Sequence, residues 1–512
     1  MKNLISGFLR KHLTYSLNRS LFSLKKTFYE WKFSILSIFY NFFTSHPGFL
    51  LGSAWLLGSL FAHKYILTLF PITLLFLLIP KDLFIKSFLC FLIPLSFVSN
   101  QESKNTIPCP TEGIGTFRIT NIRTLGKRGY IYNGRFITFC NTNNHMYYNK
   151  NASFHSFHIY STNNDYNIKC KLKIKNKTIF IFNHSIIQRI QTHFCLQSIN
   201  LKLHNQLEKF IKKRIIKKNA CSFFTALFSA TIDDICLNIE LQNLGLSHIL
   251  VVSGLHFSLV LTFLRHLLKG FIAPKKLAII LLFPCSFLLW FFGTNPSSTR
   301  AWASQFFLIG GIILERPITS LSRLGYAAII TLMINPSFCL YTGWQLSFGA
   351  TAGILFFYPF ISTIFHFLLH PELVPFPKLT PYIKPLLIYC AETLSLSCAV
   401  HFMILPLLFH QFGSLPLATF FYNLVLPPFF LLTVFLFLIA TLMNSTYLFS
   451  LTSYVTDKIL LMVEFPPLLF KKIYIKMTPL TLCLSLTLIL LLGIILQTQK
   501  KPFNKGFLKD IK

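Results

Sequence analysis

Within the apolar parts of this chain, residues able to do chemistry are sparse, and four short polar-marked stretches stand out. The first, Leu244–Val260, reads LGLSHILVVSGLHFSLV and carries His248, Ser253, Gly254 and His256 inside a hydrophobic run. Polar groups within a membrane segment are costly and usually face a bundle interior or a water-filled path. Ser253 and His256 stand three residues apart, so a helix puts them on one face. They suit hydrogen bonds that hold neighbouring helices, or the lining of a path. A Ser/His dyad for hydrolysis suits them less. Its base must reach the nucleophile, two side chains on one helix meet poorly, and Val251 stands where a GxSG-type turn needs Gly.

The second stretch is Gly293–Ala301, GTNPSSTRA. Asn295 suits a helix N-cap and Pro296 the first helical position. The N–H groups of that first turn, with Ser297, Ser298 and Arg300, would attract an anion such as a phosphate. The alternative is an interfacial cap with a snorkelling Arg. The third stretch, Asn335-Pro336 followed by Gly343–Ala350, sets Gln345 and Ser347 at the start of a span. Gly349 and Gly353, four apart, permit close helix approach. The fourth runs from Glu392 through His401, Pro406, His410 and Phe412 to Asn423 and Pro427-Pro428. Pro406 can break a helix and free backbone groups, which a membrane tolerates where a cavity is lined. Glu392, the only clear acid of its span, is expected to be paired or near an end. Asn423, between apolar neighbours, is expected to have a partner.

The elements that must position these stretches are membrane helices. The chain has 512 residues, 53% hydrophobic and only 12% charged, against about 25% charged in soluble domains. Lipid permits helices and closed barrels, and the long uncharged runs here lack the short alternating segments of a barrel. The fold class expected is a polytopic α-helical membrane protein with an inserted small extracytoplasmic β domain, OB-like in kind. Residues 1–34 form a basic membrane-surface segment rather than a cleavable leader. Residues 35–99 hold the N-terminal transmembrane helices, as three tilted crossings or with a re-entrant piece. The main bundle occupies 220–497, with spans near 246–268, 277–293, 298–314, 323–340, 343–363, 385–411, 415–442, 447–470 and 478–497. A basic tail, 498–512, prefers the cytoplasm.

Between the two membrane blocks, 100–205 changes character to Asn, Thr, Ser and Lys. Gly115–Ile122 alternates weakly, and Asn133-Gly134 reads as a hairpin turn between two strands. Lys171–Lys175 alternates cleanly, with Leu172 and Ile174 opposite its cations. A small soluble β barrel is expected, of the kind whose basic and aromatic faces bind single-stranded nucleic acid; a structural cap is the alternative. Cys109, Cys140, Cys170 and Cys195 allow three disulfide pairings if this domain is outside. Residues 206–219 form a basic amphipathic helix on the membrane surface, where membrane lipids are its expected partners. The net charge of +33 admits anionic partners, nucleic acid or acidic lipid. No CxxC pair or zinc-like Cys/His spacing occurs, and no GxxxxGK[ST] nucleotide loop. Cofactors: none are expected.

GLSHILVVSGLH at 245–256, NPSSTRA at 295–301, NPSFCLYTGWQLSFGATAGI at 335–354 and PLLFHQFGSLPLATFFYNLVLPP at 406–428 resemble, in order and spacing, the ComEC competence family. The resemblance covers roughly 220–480 and extends more weakly to the β domain. It implies a channel in the bacterial inner membrane that admits single-stranded DNA during natural transformation, and a transport protein rather than an enzyme. A separate ATP-driven motor and a DNA receptor are then the expected partners, with a homo-oligomer open. Transport of another anionic or lipid-linked substrate is the alternative. The motif positions that carry over are His248, Ser253, Gly254, His256, Ser298, Arg300, Gln345, Ser347, Pro406, Phe412 and Asn423, and Ser297 stands beside them in the same turn. The chain departs from larger family members in showing no HxHxDH motif of their metallo-β-lactamase-like domain, and in having Ala230-Thr-Ile-Asp-Asp234 where a Gly-Asp is common.

Overall fold

The computed structural model describes residues 37–63, 68–79, 81–103, 111–124, 130–141, 146–156, 165–175, 178–190, 196–229, 239–242, 244–246, 254–293, 295–369, 380–464 and 472–498. The segment 1–34, Cys109, Cys195, Asp233, Asp234 and the tail beyond Thr498 lie outside them. In chain order the elements are α1 (Pro47–Ala62), α2 (Leu69–Leu78), α3 (Lys81–Ser103), then strands β1 (Thr111–Thr124), β2 (Tyr130–Asn141), β3 (Met146–Ser156), β4 (Asp165–Lys175) and β5 (Thr178–Ile190). Next come α4 (Leu196–Arg214), α5 (Lys218–Ser229), α6 (Gly254–Leu268), α7 (Pro274–Phe292), α8 (Pro296–Ile313), α9 (Ser320–Ile334) and α10 (Thr342–Leu368). The chain continues with α11 (Thr380–Phe412), β6 (Ser414–Pro416), α12 (Ala418–Leu442), α13 (Thr446–Glu464), β7 (Lys472–Tyr474) and α14 (Pro479–Thr498).

Among the described residues five helices are long and apolar enough to cross a membrane: α7, α10, α11 from Ile383, α12 and α14. The other four expected spans of the main bundle change for local reasons. Among its described residues the stretch 246–268 contributes α6, whose 15 residues reach about 22 Å against a hydrocarbon core of about 30 Å. The stretch 323–340 is cut at Asn335, because the residue before a proline is pushed out of the helical region. Asn335 is extended (φ −150°, ψ 105°) and its side chain accepts from Ser337 N at 3.0 Å, opening a 3₁₀ turn over Pro336–Leu340. The helix α8 begins with a polar turn, and α13 carries Asp457, Lys458 and Glu464, which lowers their apolar character. Pro406 does not break its helix: α11 runs through it unbroken.

The chain divides into two compact units. One is drawn from Met1–Leu95, Gly310–Gly413 and Ile475–Lys512, the other from Ser96–Ile309 and Ser414–Tyr474. In the first, α1 crosses α9 backbone on backbone. A Cβ built on Gly52 would lie 2.4 Å from Gly325 O, and one on Gly325 would lie 1.9 Å from Gly48 O. His46 Nδ1 meets Thr319 Oγ1 at 2.9 Å at the start of both helices. In the same unit α10 and α11 pack as an antiparallel pair.

The second unit contains the β domain. Its five strands close into a barrel in the order β1-β2-β3-β5-β4. Alternation puts Phe117, Ile119, Tyr166, Ile168, Cys170 and Leu172 inside, while Lys169 and Lys171 face out. Aromatic rings fill the interior, with Phe117–Phe136 centroids at 4.9 Å and Tyr132–Phe154 at 4.9 Å. Burial there pushes the Cys170 thiol up to about 12. Asn133-Gly134 is not a turn. It lies within β2, where Asn133 faces Asn121 and Ser153, and Gly134 faces Ile119 and Ala152. The facing strand β1 shifts register between Ile119 and Asn121, so the glycine serves an irregular ladder. Cys140 and Cys170 are not in disulfides. The remainder of this unit is helical, with a core built on stacked rings such as Phe223–Phe430 (4.9 Å) and Phe224–Phe437 (4.6 Å).

Candidate functional site

In the second unit the first polar-marked stretch touches parts of two others. It starts as a turn at Leu244–Leu246, where Gly245 adopts φ +73°. Thr419 Oγ1, in the first turn of α12, donates to Leu244 O at 2.5 Å. A Cβ at Gly245 would sit 2.0 Å from that same oxygen. Glycine is thus required twice here, for the left-handed conformation and for the close approach. This contact seats the first stretch on the second half of the fourth. His248 and Ser253 lie outside the described residues. Gly254 begins α6, and His256 lies in its first turn. One residue further on, the buried Phe257 packs against Ala301, with Leu288, Phe292 and Trp302 around them. Gln305 Nε2 donates to Ser258 Oγ at 3.1 Å. Thus α6 is held against α8, which carries the second stretch.

The hydroxyls of that second stretch are turned inward. Ser298 Oγ donates to Gly293 O (2.7 Å) and Asn295 O (3.0 Å), and Thr299 Oγ1 donates to Asn295 O at 2.8 Å. Both side chains are fully buried. Asn295 turns its amide nitrogen toward Phe292 O at 3.4 Å. Of the two hydroxyls expected to face an anion, Ser298 therefore binds the local backbone instead, as does the neighbouring Thr299, and Ser297 and Arg300 are partly buried beside them. Asn423, on α12, has a buried Oδ1 with no hydrogen-bond partner among the described residues. Trp302 Nε1 is in the same condition. An unmade bond at a buried polar atom costs about 1–3 kcal/mol, so each is a place where a passing group could be satisfied.

The first unit holds the third stretch and the first half of the fourth. Gln345 Nε2 donates to Cys339 O at 2.9 Å. Gln411 Nε2 points to Gln345 Oε1 at 3.4 Å, and Thr342 Oγ1 to Gln411 Oε1 at 3.5 Å. These amides form a directed chain across the adjacent ends of α10 and α11. Phe412 follows at 60% exposure. Ser347 lies one turn into α10, and Thr351 Oγ1 donates to its carbonyl at 2.9 Å. Gly353 has a packing role, because a Cβ there would lie 2.5 Å from Ala399 O. Pro406 is buried on α11. His401 Nδ1 bonds Ser397 O at 2.8 Å, and His410 Nδ1 bonds Met477 O at 3.2 Å. Glu392 is exposed and makes no ion pair among the described residues.

Among the described residues no group of three His, Cys, Asp or Glu side chains is placed to hold a metal ion. Sequence reasoning missed Thr419, Trp302 and Gln411. A buried indole beside NPSSTRA was a usable signal for Trp302; a single threonine in an apolar helix was none.

A weaker likeness connects the chain to "ComE operon protein 3" of Bacillus subtilis (strain 168), 27% identical over 115 residues. That alignment covers 22% of this chain and 15% of the relative. No solved structure matches. The sequence model of the competence protein family matches residues 237–500, more than half of the chain and a range that encloses all four polar-marked stretches. The chain therefore belongs to the competence protein family.

Proposed function

We propose that this protein is a multi-pass channel of the bacterial inner membrane that takes up single-stranded DNA in natural transformation. The observation that carries the proposal is the family match over 237–500, the region that contains every polar-marked stretch. Five helices fit to cross a membrane support a pathway through lipid. The strand order of the barrel supports an OB-like module, whose kind offers faces to single strands. On that face Lys171 is engaged by Glu112, while Lys169 stays exposed. Arg300, Ser297 and the buried Asn423 amide oxygen are the groups assigned to the path. Sequence-independent passage requires cations for phosphates and polar groups for bases. Transport rather than catalysis is the activity proposed, with a separate ATP-driven motor supplying force and a separate DNA receptor supplying the strand.

The test pairs uptake with membrane abundance. Arg300→Ala and His256→Ala are each expected to abolish DNA uptake while the protein inserts at normal levels. Loss of the protein itself would assign these residues to packing. Purified protein in sealed vesicles, with its motor present, should pass single-stranded DNA; failure to bind or pass it would overturn the proposal.

A further inference from the structure

The helix α4 is tied at both ends to the ends of membrane helices. Near its start, His204 stacks on Phe291 (centroids 4.3 Å apart, planes 10°) and its Nε2 bonds Phe291 O at 2.7 Å. Asn200 Nδ2 donates to Trp290 O at 2.6 Å and Phe291 O at 3.2 Å. Those carbonyls belong to the last turn of α7, where a helix has no internal donors left. At the other end, Arg214 donates to Asn444 Oδ1 at 2.6 Å and lies over the Phe449 ring at 5.3 Å. Asn444 sits in the turn between α12 and α13. Both α7 and α12 are apolar enough to span, so α4 lies along the boundary at which those two spans end. There its chain turns into α5 and opens a cavity of about 430 Å³, within the roughly 300–1,000 Å³ of small-ligand sites.

The walls of this cavity are amphiphilic. Lys212, Lys218, Ser222 and Thr225 give it cations and hydroxyls, and Ile215 and Ile216 give it an apolar side. Ile216 is 78% exposed. Between residues 208 and 218 stand Lys209, Lys212, Lys213, Arg214, Lys217 and Lys218. Glu208 engages Lys212 and Asp457 approaches Lys217 at 3.9 Å; no ion pair engages Lys213 or Lys218 among the described residues. We propose that this corner is a binding site for one anionic diacyl phospholipid, its phosphate held by Lys218, Lys212 and the Ser222 hydroxyl, and its acyl chain laid along Ile216. A zwitterionic headgroup would bring its own cation against these lysines. A free phosphate or a DNA strand would leave Ile216 in water. The inference stands on the geometry of α4 and α5 and does not rest on strand passage.

The full chain, placed in nanodiscs of mixed phosphatidylglycerol and phosphatidylcholine, is extracted and its retained lipids are counted by native mass spectrometry. Phosphatidylglycerol should be enriched on the wild type. Lys218→Gln with Ser222→Ala should lower that enrichment about fivefold, the factor matching roughly 1 kcal/mol per basic residue near an anionic surface. Lys218→Arg should keep it, and so should Lys213→Gln, which changes the same surface but not the cavity. Monodisperse elution identifies folded variants; if the double variant fails to fold, Ser222→Ala alone must show a reduced enrichment. Equal losses in Lys213→Gln and Lys218→Gln would overturn the site in favour of general surface attraction. Displacement of the lipid by millimolar inorganic phosphate would overturn it in favour of a free-phosphate site. Displacement by a single-stranded oligonucleotide would assign the corner to DNA instead. Retention unchanged in every variant would also refute it.

Discussion

Gly325→Ala adds one methyl group where α1 and α9 have no room for it. The new Cβ would stand 1.9 Å from Gly48 O, 2.4 Å from Gly48 C and 2.7 Å from Phe49 Cα. All three are backbone atoms, so no rotamer relieves the clash. Restoring ordinary contact at 3.4 Å requires the helices to part by about 1.5 Å, and a gap of 0.5–1 Å already forfeits a quarter to a half of the contact energy. Overpacking costs about 1–3 kcal/mol, and parting the helices also stretches the 2.9 Å bond between His46 and Thr319, worth about 1 kcal/mol. Together the loss is about 2–4 kcal/mol. Gly310→Ala makes the same chemical change in α8, where nothing lies within 4 Å of the added Cβ. There the gain in helix propensity should dominate, at about 0.5–1 kcal/mol. The assay is the free energy of unfolding by sodium dodecyl sulfate in mixed micelles, measured for both variants. If Gly325→Ala lies within about 0.5 kcal/mol of the wild type, or loses no more than Gly310→Ala, the backbone crossing of α1 and α9 is refuted.

Other expectations separate packing from path. Thr419→Val should lose about 1–3 kcal/mol by leaving Leu244 O without its donor, whereas Thr419→Ser keeps the hydroxyl and should lose less; resistance to limited proteolysis distinguishes them. Asn423→Leu removes a buried acceptor that has no partner among the described residues, so its folding stability should hold or rise while DNA uptake falls; a loss of stability would show that the amide is a structural bond. Burial holds Cys170 neutral well above neutral pH, and the thiolate is the reactive form. Maleimide should therefore label Cys170 slowly in the folded protein between pH 7 and 9 and rapidly after denaturation; rapid labelling of folded protein would refute a closed barrel.

The helical class and the β insertion were legible because composition and alternation report directly on what surrounds each residue. Lys169, Cys170, Lys171 and Leu172 alternate out and in as a two-residue period demands. Span boundaries were less legible. Hydropathy does not register that Pro336 ends α9, and it overlooks that α11 absorbs Pro406 within an unbroken helix. The Asn133-Gly134 pair carried the local signature of a turn, but pairing on both sides of β2 overrode it. At the candidate site, the polar positions announced themselves against an apolar background. Their partners did not: the bond from Thr419 to Leu244 joins residues 175 apart. Likewise the inward turn of Ser298 and Thr299 depends on backbone geometry that residue type does not encode.

The crossing of α1 and α9 also sets a schedule for making the protein. His46 and Thr319 are 273 residues apart in the chain. At about 5–20 residues per second, α1 emerges from the ribosome roughly 15–55 s before its partner exists. Throughout that interval the face carrying Gly48 and Gly52 has no native neighbour, and α1 alone, 16 residues long, reaches about 24 Å, short of a full bilayer core. The first helices are therefore expected to be held by the insertion machinery during that interval. A chain arrested before residue 319 should remain in contact with that machinery, and one arrested beyond the end of α9 should be released from it.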